Sequence, residues 1–201
     1  MGTVFMTIIT FIATGLDEMI MLILLFSLTK SDQDVRNVYI GQQIGMSVVL
    51  CLVLLGVYGI AQFTGKWIGL LGFIPIVLGV MALFIGEDDD DEERLFNKTA
   101  LFSNVVIRVI ILAIAGGAEE LAIYIPYFSS LVSTEVILAS ITFIIMIPIW
   151  SSICRKLAAF GMIPHKLEKY QRFIVPILFI GIGVHILIEQ HTISDILTFF
   201  L

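Results

Sequence analysis

Two adjacent pairs of acids, Asp17-Glu18 and Glu119-Glu120, stand inside otherwise apolar stretches of the chain. Carboxylate oxygens bind hard cations and also bind protons, so such pairs suit a site where metal and protons compete for the same oxygens. An ionised acid at mid-membrane costs about 2.5–3.5 kcal/mol on insertion scales, so four facing lipid would cost about 10–14 kcal/mol. Gathering them around a cation removes that cost. The reading without a function is four neutralised acids hydrogen-bonded to one another inside a helix bundle.

The neighbours of these acids bear on how they could act. Gly15 precedes Asp17, Gly116-Gly117 precede Glu119, and Pro126 follows. Such residues allow a helix to unwind beside a cavity or to approach another helix closely. Successive residues of a regular helix point about 100° apart, so both members of a pair reach one ion only if the helix unwinds locally. Otherwise one acid binds the ion and the other carries a proton or meets Arg108. Thr3, Thr7, Thr10, Thr14 and Asp17 recur at alternating intervals of four and three, a stripe on one helical face. It either lines an outward path or back-bonds to its own helix. Asn104, Arg108, Ala115 and Glu119 form a weaker stripe, and Glu120, Tyr124 and Tyr127 continue from it. Gln42-Gln43 could supply amide oxygens to the ion or bond between helices. Met19 and Met21 could offer thioethers, and His185 could relay protons; packing and hydrogen bonding are their plainer roles.

The elements that hold these residues must lie in lipid. The chain has 201 residues, 59% hydrophobic and 14% charged, with a mean hydropathy of +1.05. A globular domain is roughly 45–50% apolar and about 25% charged, so a soluble fold is excluded. Apolar runs at about Val4–Leu28, Val38–Gln62, Trp67–Ile85, Val105–Leu131, Val136–Ile153 and Phe173–Ile188 are each long enough to cross a bilayer. Ten of the 11 basic residues then fall on one side and only Lys66 on the other, which places both termini outside. The first run has no basic segment before it and no convincing cleavage site, so it reads as a span and not as a signal peptide.

Shifting the chain by 102 residues superposes Gly15 on Gly117, Asp17 on Glu119, Glu18 on Glu120, Phe26 on Phe128 and Ser27 on Ser129. Three spans is an odd number, so the halves must be inverted, a common transporter design. The expected fold is an all-α integral membrane protein of six transmembrane helices in two inverted three-helix repeats. Residues 1–86 form the first repeat, 87–104 an acidic cytosolic linker, and 105–201 the second repeat. The linker carries seven consecutive acids, Glu87 to Glu93, a solvated run or a weak collector of cations; without it the chain is nearly neutral, 11 bases against 10 acids. Cys51 and Cys154 form no CxxC pair and read as packing residues.

Three segments together resemble the cadmium resistance transporter family, within the lysine exporter superfamily of small bacterial exporters. They are Ala13-Thr14-Gly15-Leu16-Asp17-Glu18, then Val38-Tyr39-Ile40-Gly41-Gln42-Gln43-Ile44-Gly45, and Gly117-Ala118-Glu119-Glu120-Leu121-Ala122-Ile123-Tyr124-Ile125-Pro126-Tyr127-Phe128. The resemblance covers nearly the whole chain. It implies a multi-pass protein of the bacterial plasma membrane that exports divalent cations, chiefly cadmium, in exchange for protons. The ion is then substrate and not cofactor, with Asp17, Glu18, Glu119 and Glu120 as its ligands. Thr10, Thr14, Gln42, Gln43, Asn104, Arg108 and Tyr124 fall along the path or around the site. The family usually has two aspartates at Asp17-Glu18 and Asp-Asn at Glu119-Glu120, so Glu120 adds a carboxylate. Oxygen ligands alone favour manganese, magnesium or calcium, which leaves zinc, manganese and cadmium open as substrates.

Other readings remain. The superfamily also implies a homodimer or export of a cationic amino acid. An intramembrane enzyme is disfavoured, because no histidine accompanies the acids and Tyr124 stands where the prenyl-protein proteases have arginine. No feature points to nucleic acid.

Overall fold

A computed structural model describes residues 2–64, 70–85, 99, 104–160 and 164–189. Within those segments the side chains of residues 17, 60–64, 82–85, 118–119, 164–173 and 189 are not described. The acidic run and the rest of the linker up to residue 98, Lys66 and His191, and the side chains of Asp17, Glu119, His165, Lys166, Lys169 and Arg172, therefore lie outside the described residues.

Among the described residues the long elements are all helices: α1 (Gly2–Ser27), α2 (Asp32–Thr64), α3 (Phe73–Ile85), α4 (Val105–Ser130), α5 (Ser133–Ala159) and α6 (Pro164–Glu189). Their starts follow from local chemistry. Ser31 accepts from the Asp34 amide at 3.1 Å and donates to its carboxylate at 2.8 Å, which caps α2. The Asn104 side chain accepts from the Val106 amide at 2.9 Å and caps α4. Glu135 accepts from the Val132 amide at the head of α5 and from the Thr3 hydroxyl at 2.8 Å, tying that end to α1.

Among the described residues α2 (over Asp32–Gly59) and α5 are long and apolar enough to cross a membrane, and α1 is a third candidate if its two arms count as one span. Those arms, Gly2–Leu16 and Glu18–Ser27, meet at 64°. Shorter apolar helical stretches run over Leu70–Met81, Val105–Gly117 and Ile174–Ile188. Large apolar side chains point outward along the bundle, among them Phe5, Leu55, Ile137 and Ile177, each more than 60% exposed. These are the faces that lipid must cover.

Three close pairings build the bundle. Helix α2 runs parallel to α4, and glycines bring the two together. A Cβ at Gly41 would stand 2.6 Å from the Val109 Cβ, one at Gly45 2.5 Å from the Ala113 Cβ, and one at Gly56 2.7 Å from Ile125. The Gly41/Gly45 step is thus a packing seam. Helix α1 runs parallel to α5, from Thr3 at Glu135 through Phe11 on Phe143 (5.1 Å, edge to face) to Gly15 at Trp150. Helix α3 runs antiparallel to α6, with Gly72 against the Gly183 carbonyl and Gly79 against that of Pro176.

Candidate metal centre

The bend in α1 falls at the first acid pair. In a regular helix the Gly15 carbonyl bonds only the amide four residues on, that of Met19. Here Trp150 of α5 donates its indole Nε1–H to that carbonyl at 3.1 Å. A donor inserted into the helical ladder is an established cause of kinks. Gly15 also gives the indole room, because a Cβ there would come 3.0 Å from Trp150 Nε1 and 3.1 Å from its Cε2, a tight contact. Trp150 is itself 5% exposed and packs edge-on to Phe11 at 6.2 Å. The glycine beside Asp17 thus lies at a bend in the helix, where its carbonyl also accepts from a tryptophan some 135 positions away.

Beyond the bend, Glu18 turns inward. Both of its carboxylate oxygens are sealed from solvent and neither completes a hydrogen bond. The Gln42 side chain, on α2 and 3% exposed, approaches this carboxylate. Gln43 is only partly buried, so Gln42 is the inward member of that pair. Glu120 on α4 is 6% exposed. One turn further, the Tyr124 hydroxyl lies within electrostatic reach of both Glu120 and Glu18. Acids from the two halves of the chain therefore share one buried neighbourhood, and Tyr124 lies within reach of both. The side chains of Asp17 and Glu119 are outside the described residues, though their backbones continue α1 and α4 at this level.

The threonine stripe back-bonds to its own helix and also meets tyrosines of α4. Thr7, Thr10 and Thr14 each bond a carbonyl of their own helix. Thr14 also shares a 2.8 Å bond with the Tyr124 hydroxyl, and Thr7 one of 2.8 Å with Tyr127. Tyr127 in turn donates to the Thr3 carbonyl at 3.1 Å. Thr7, Thr10, Tyr124 and Tyr127 are 0% exposed, so this polar seam between α1 and α4 is packed shut.

Of the weaker stripe on α4, the Glu119 side chain lies outside the described residues, and the stripe's other end is described. Asn104 is spent on capping its helix. Arg108 lies 12 positions before Glu120, roughly 18 Å along the axis at 1.5 Å per residue, so it does not share the Glu120 site. Met19 and Met21 are buried in the apolar core, and His185 is half-buried on α6. Among the described residues no three His, Cys, Asp or Glu side chains converge on one point.

Sequence reasoning missed Trp150 in this region; Cys154, one turn beyond it on α5, is a buried free thiol.

Buried acids from different helices, set in an apolar bundle beside a hydroxyl seam, define a class: an integral membrane protein that handles a polar or charged solute. The model of the cadmium resistance transporter family matches residues 11–199, and the chain belongs to that family. Neither the curated proteins nor the solved structures contain a match to it.

Proposed function

We propose that the protein exports divalent metal cations, cadmium among them, across the bacterial plasma membrane in exchange for protons. Asp17, Glu18, Glu119 and Glu120 bind the ion, with the Gln42 amide beside them. The observation that carries this reading is the Glu18 carboxylate, sealed inside the bundle without a completed hydrogen bond. A buried carboxylate left so must hold a proton or a cation. Exchange of the two is antiport: metal arriving from the cytosol displaces protons, and protons from outside displace the metal.

Family membership supports metal as the substrate class. The helix directions support six alternating crossings in two inverted repeats with both termini outside. Alternation would make α1 parallel to α5, α2 parallel to α4, and α3 antiparallel to α6, and those are the directions of the three close pairings. Exchanging the halves converts the α1–α5 pair into α4–α2 and returns α3–α6 to itself. On this reading the packed Thr14–Tyr124 and Thr7–Tyr127 contacts close the outer side and must part for release.

Proteoliposomes with an internal pH dye test substrate and coupling together. Cadmium, zinc and manganese are supplied one at a time, and the expected result is metal uptake with opposite proton movement. Glu119→Gln should nearly abolish both at normal expression. Wild-type exchange in that variant overturns the site, and efflux of lysine or arginine with no metal response overturns the substrate class.

A further inference from the structure

The Glu18 carboxylate is sealed from solvent, so an ion that reaches it from the cytosol must pass something that opens. On the six-crossing reading the end of α1, the start of α2 and the end of α5 meet on the cytosolic side, with Lys30, Arg36, Arg155 and Lys156 around them. One side chain spans these three helices. The Tyr39 hydroxyl of α2 donates to the Ser152 hydroxyl of α5 at 3.2 Å, and the Tyr39 ring lies 5.4 Å from the Phe26 ring of α1. Ser152 gives its own proton to the Pro148 carbonyl at 2.7 Å, so it meets Tyr39 as an acceptor.

This contact stands just to the cytosolic side of the buried acids. Ser152 is two residues past Trp150, whose indole meets the Gly15 carbonyl, and Tyr39 is three residues before Gln42 on the same face of α2. At 1.5 Å per residue that is about 3–5 Å nearer the cytosol. Gln42 is 3% exposed, whereas Tyr39 and Ser152 are half-buried. The polar face of α2 thus runs from a partly solvated Tyr39 inward to a sealed Gln42. The two ends of α1 also differ. At the outer end Thr3, Thr7 and Thr14 bond Glu135, Tyr127 and Tyr124 of other helices, each at 2.8 Å. At the cytosolic end Ser27 and Thr29 bond the nearby Ile23 and Phe26 carbonyls, and Phe26 meets Tyr39 ring to ring.

We propose that Tyr39 is the cytosolic gate of the ion path: it covers the cleft among α1, α2 and α5 and swings aside to admit the ion to Gln42 and the buried acids. The proposal rests on the metal-export reading above and deepens it. Its bond to Ser152 is longer than the roughly 2.7–2.8 Å usual between hydroxyls. This gate opens by turning one side chain, whereas the outer seam must part at several bonds. The ion binds from the cytosol only while the gate is open, so its apparent affinity is reduced by the open fraction.

Tyr39→Phe removes the bond and keeps the ring on Phe26, and Ser152→Ala removes the same bond from the other side. Gln42→Cys in a Cys51→Ser chain reports opening. A membrane-impermeant maleimide is applied to either face of vesicles in metal-free buffer, and labelling is compared with the chain lacking the reporter. Labelling from the cytosolic face should be about 2- to 10-fold faster with either change, the worth of one net hydrogen bond, and no faster with both together. With Gln42 intact, the same two variants should half-saturate at a cytosolic cadmium concentration lower by a similar factor. A damaged site would raise it. Equal labelling rates, or half-saturation unchanged or raised in the folded variants, overturns the gate and leaves metal export standing. Labelling from the outer face alone overturns the orientation and the gate with it. No cadmium transport by wild type overturns the export reading, and the labelling rates then still decide whether Tyr39 closes this cleft.

Discussion

The α2–α4 and α1–α5 interfaces are both parallel helix pairs, yet they are built from opposite materials. Between α2 and α4 the contacts are glycine on aliphatic: Gly41 on Val109, Gly45 on Ala113, Gly117 on Val49. Between α1 and α5 they are hydroxyl, aromatic ring and indole, and α1 is bent. A seam of small residues packs in one way, since backbones in close contact leave no room for alternatives. A seam of hydrogen bonds across a kink has discrete alternatives, because each bond can be exchanged for another partner. The α2–α4 pair is therefore the more constrained contact, and the bent α1, which carries Glu18, is held by bonds that have alternatives.

The comparison breaks first at the α2–α4 contact. Gly45→Leu forces a side chain into a gap where a single Cβ already meets Ala113 at 2.5 Å. Overpacking costs about 1–3 kcal/mol or more. The protein should lose its folded, monodisperse population in detergent, read by size-exclusion and thermal unfolding; a fully stable variant would show that this seam is not close-packed.

Next comes the bend. Trp150→Phe keeps a ring against Phe11 but removes the 3.1 Å bond to the Gly15 carbonyl. Leaving a buried carbonyl short of a donor costs about 1–3 kcal/mol. The variant should fold and transport metal roughly 10-fold or more slowly, since about 1.4 kcal/mol is tenfold. Unchanged transport would mean that the bend does not need Trp150.

A smaller effect is expected at the seam. Tyr124→Phe deletes the 2.8 Å bond to Thr14 and leaves the ring against Phe143 at 5.1 Å. One net hydrogen bond is worth about 0.5–1.5 kcal/mol, so the outer side should open more readily. Cysteine labelling of a Thr10→Cys variant from outside should speed up when Tyr124→Phe is added. Equal labelling rates would show that the seam is not a closure. The least effect belongs to Thr142→Val, an exposed hydroxyl on α5 bonded only to the Leu138 carbonyl among the contacts described. It should match wild type within about 0.5 kcal/mol.

The difference between the regions also explains what was legible beforehand. Glu18 and Glu120 stood out in sequence because a charge in an apolar run is costly and rare. Thr14 and Tyr124 followed from helical period, and the Gly41/Gly45 step announced a packing seam. Trp150 gave no such sign: an apolar residue in an apolar run has no periodic signature. Its meaning depends on the register between α1 and α5, helices more than 100 residues apart in sequence. On the α4 stripe, Asn104 has a local reason to be polar, since it caps the helix start.

The central claim is that metal and protons compete for the buried carboxylates around Glu18. Equilibrium binding of radiocadmium to the purified protein across a range of pH tests it most directly. Wild type should bind cadmium at neutral pH and release it progressively as the pH falls, while Glu18→Gln, folded by size-exclusion, should bind little at any pH. Cadmium binding that is independent of pH, or retained in full by Glu18→Gln, would contradict the account.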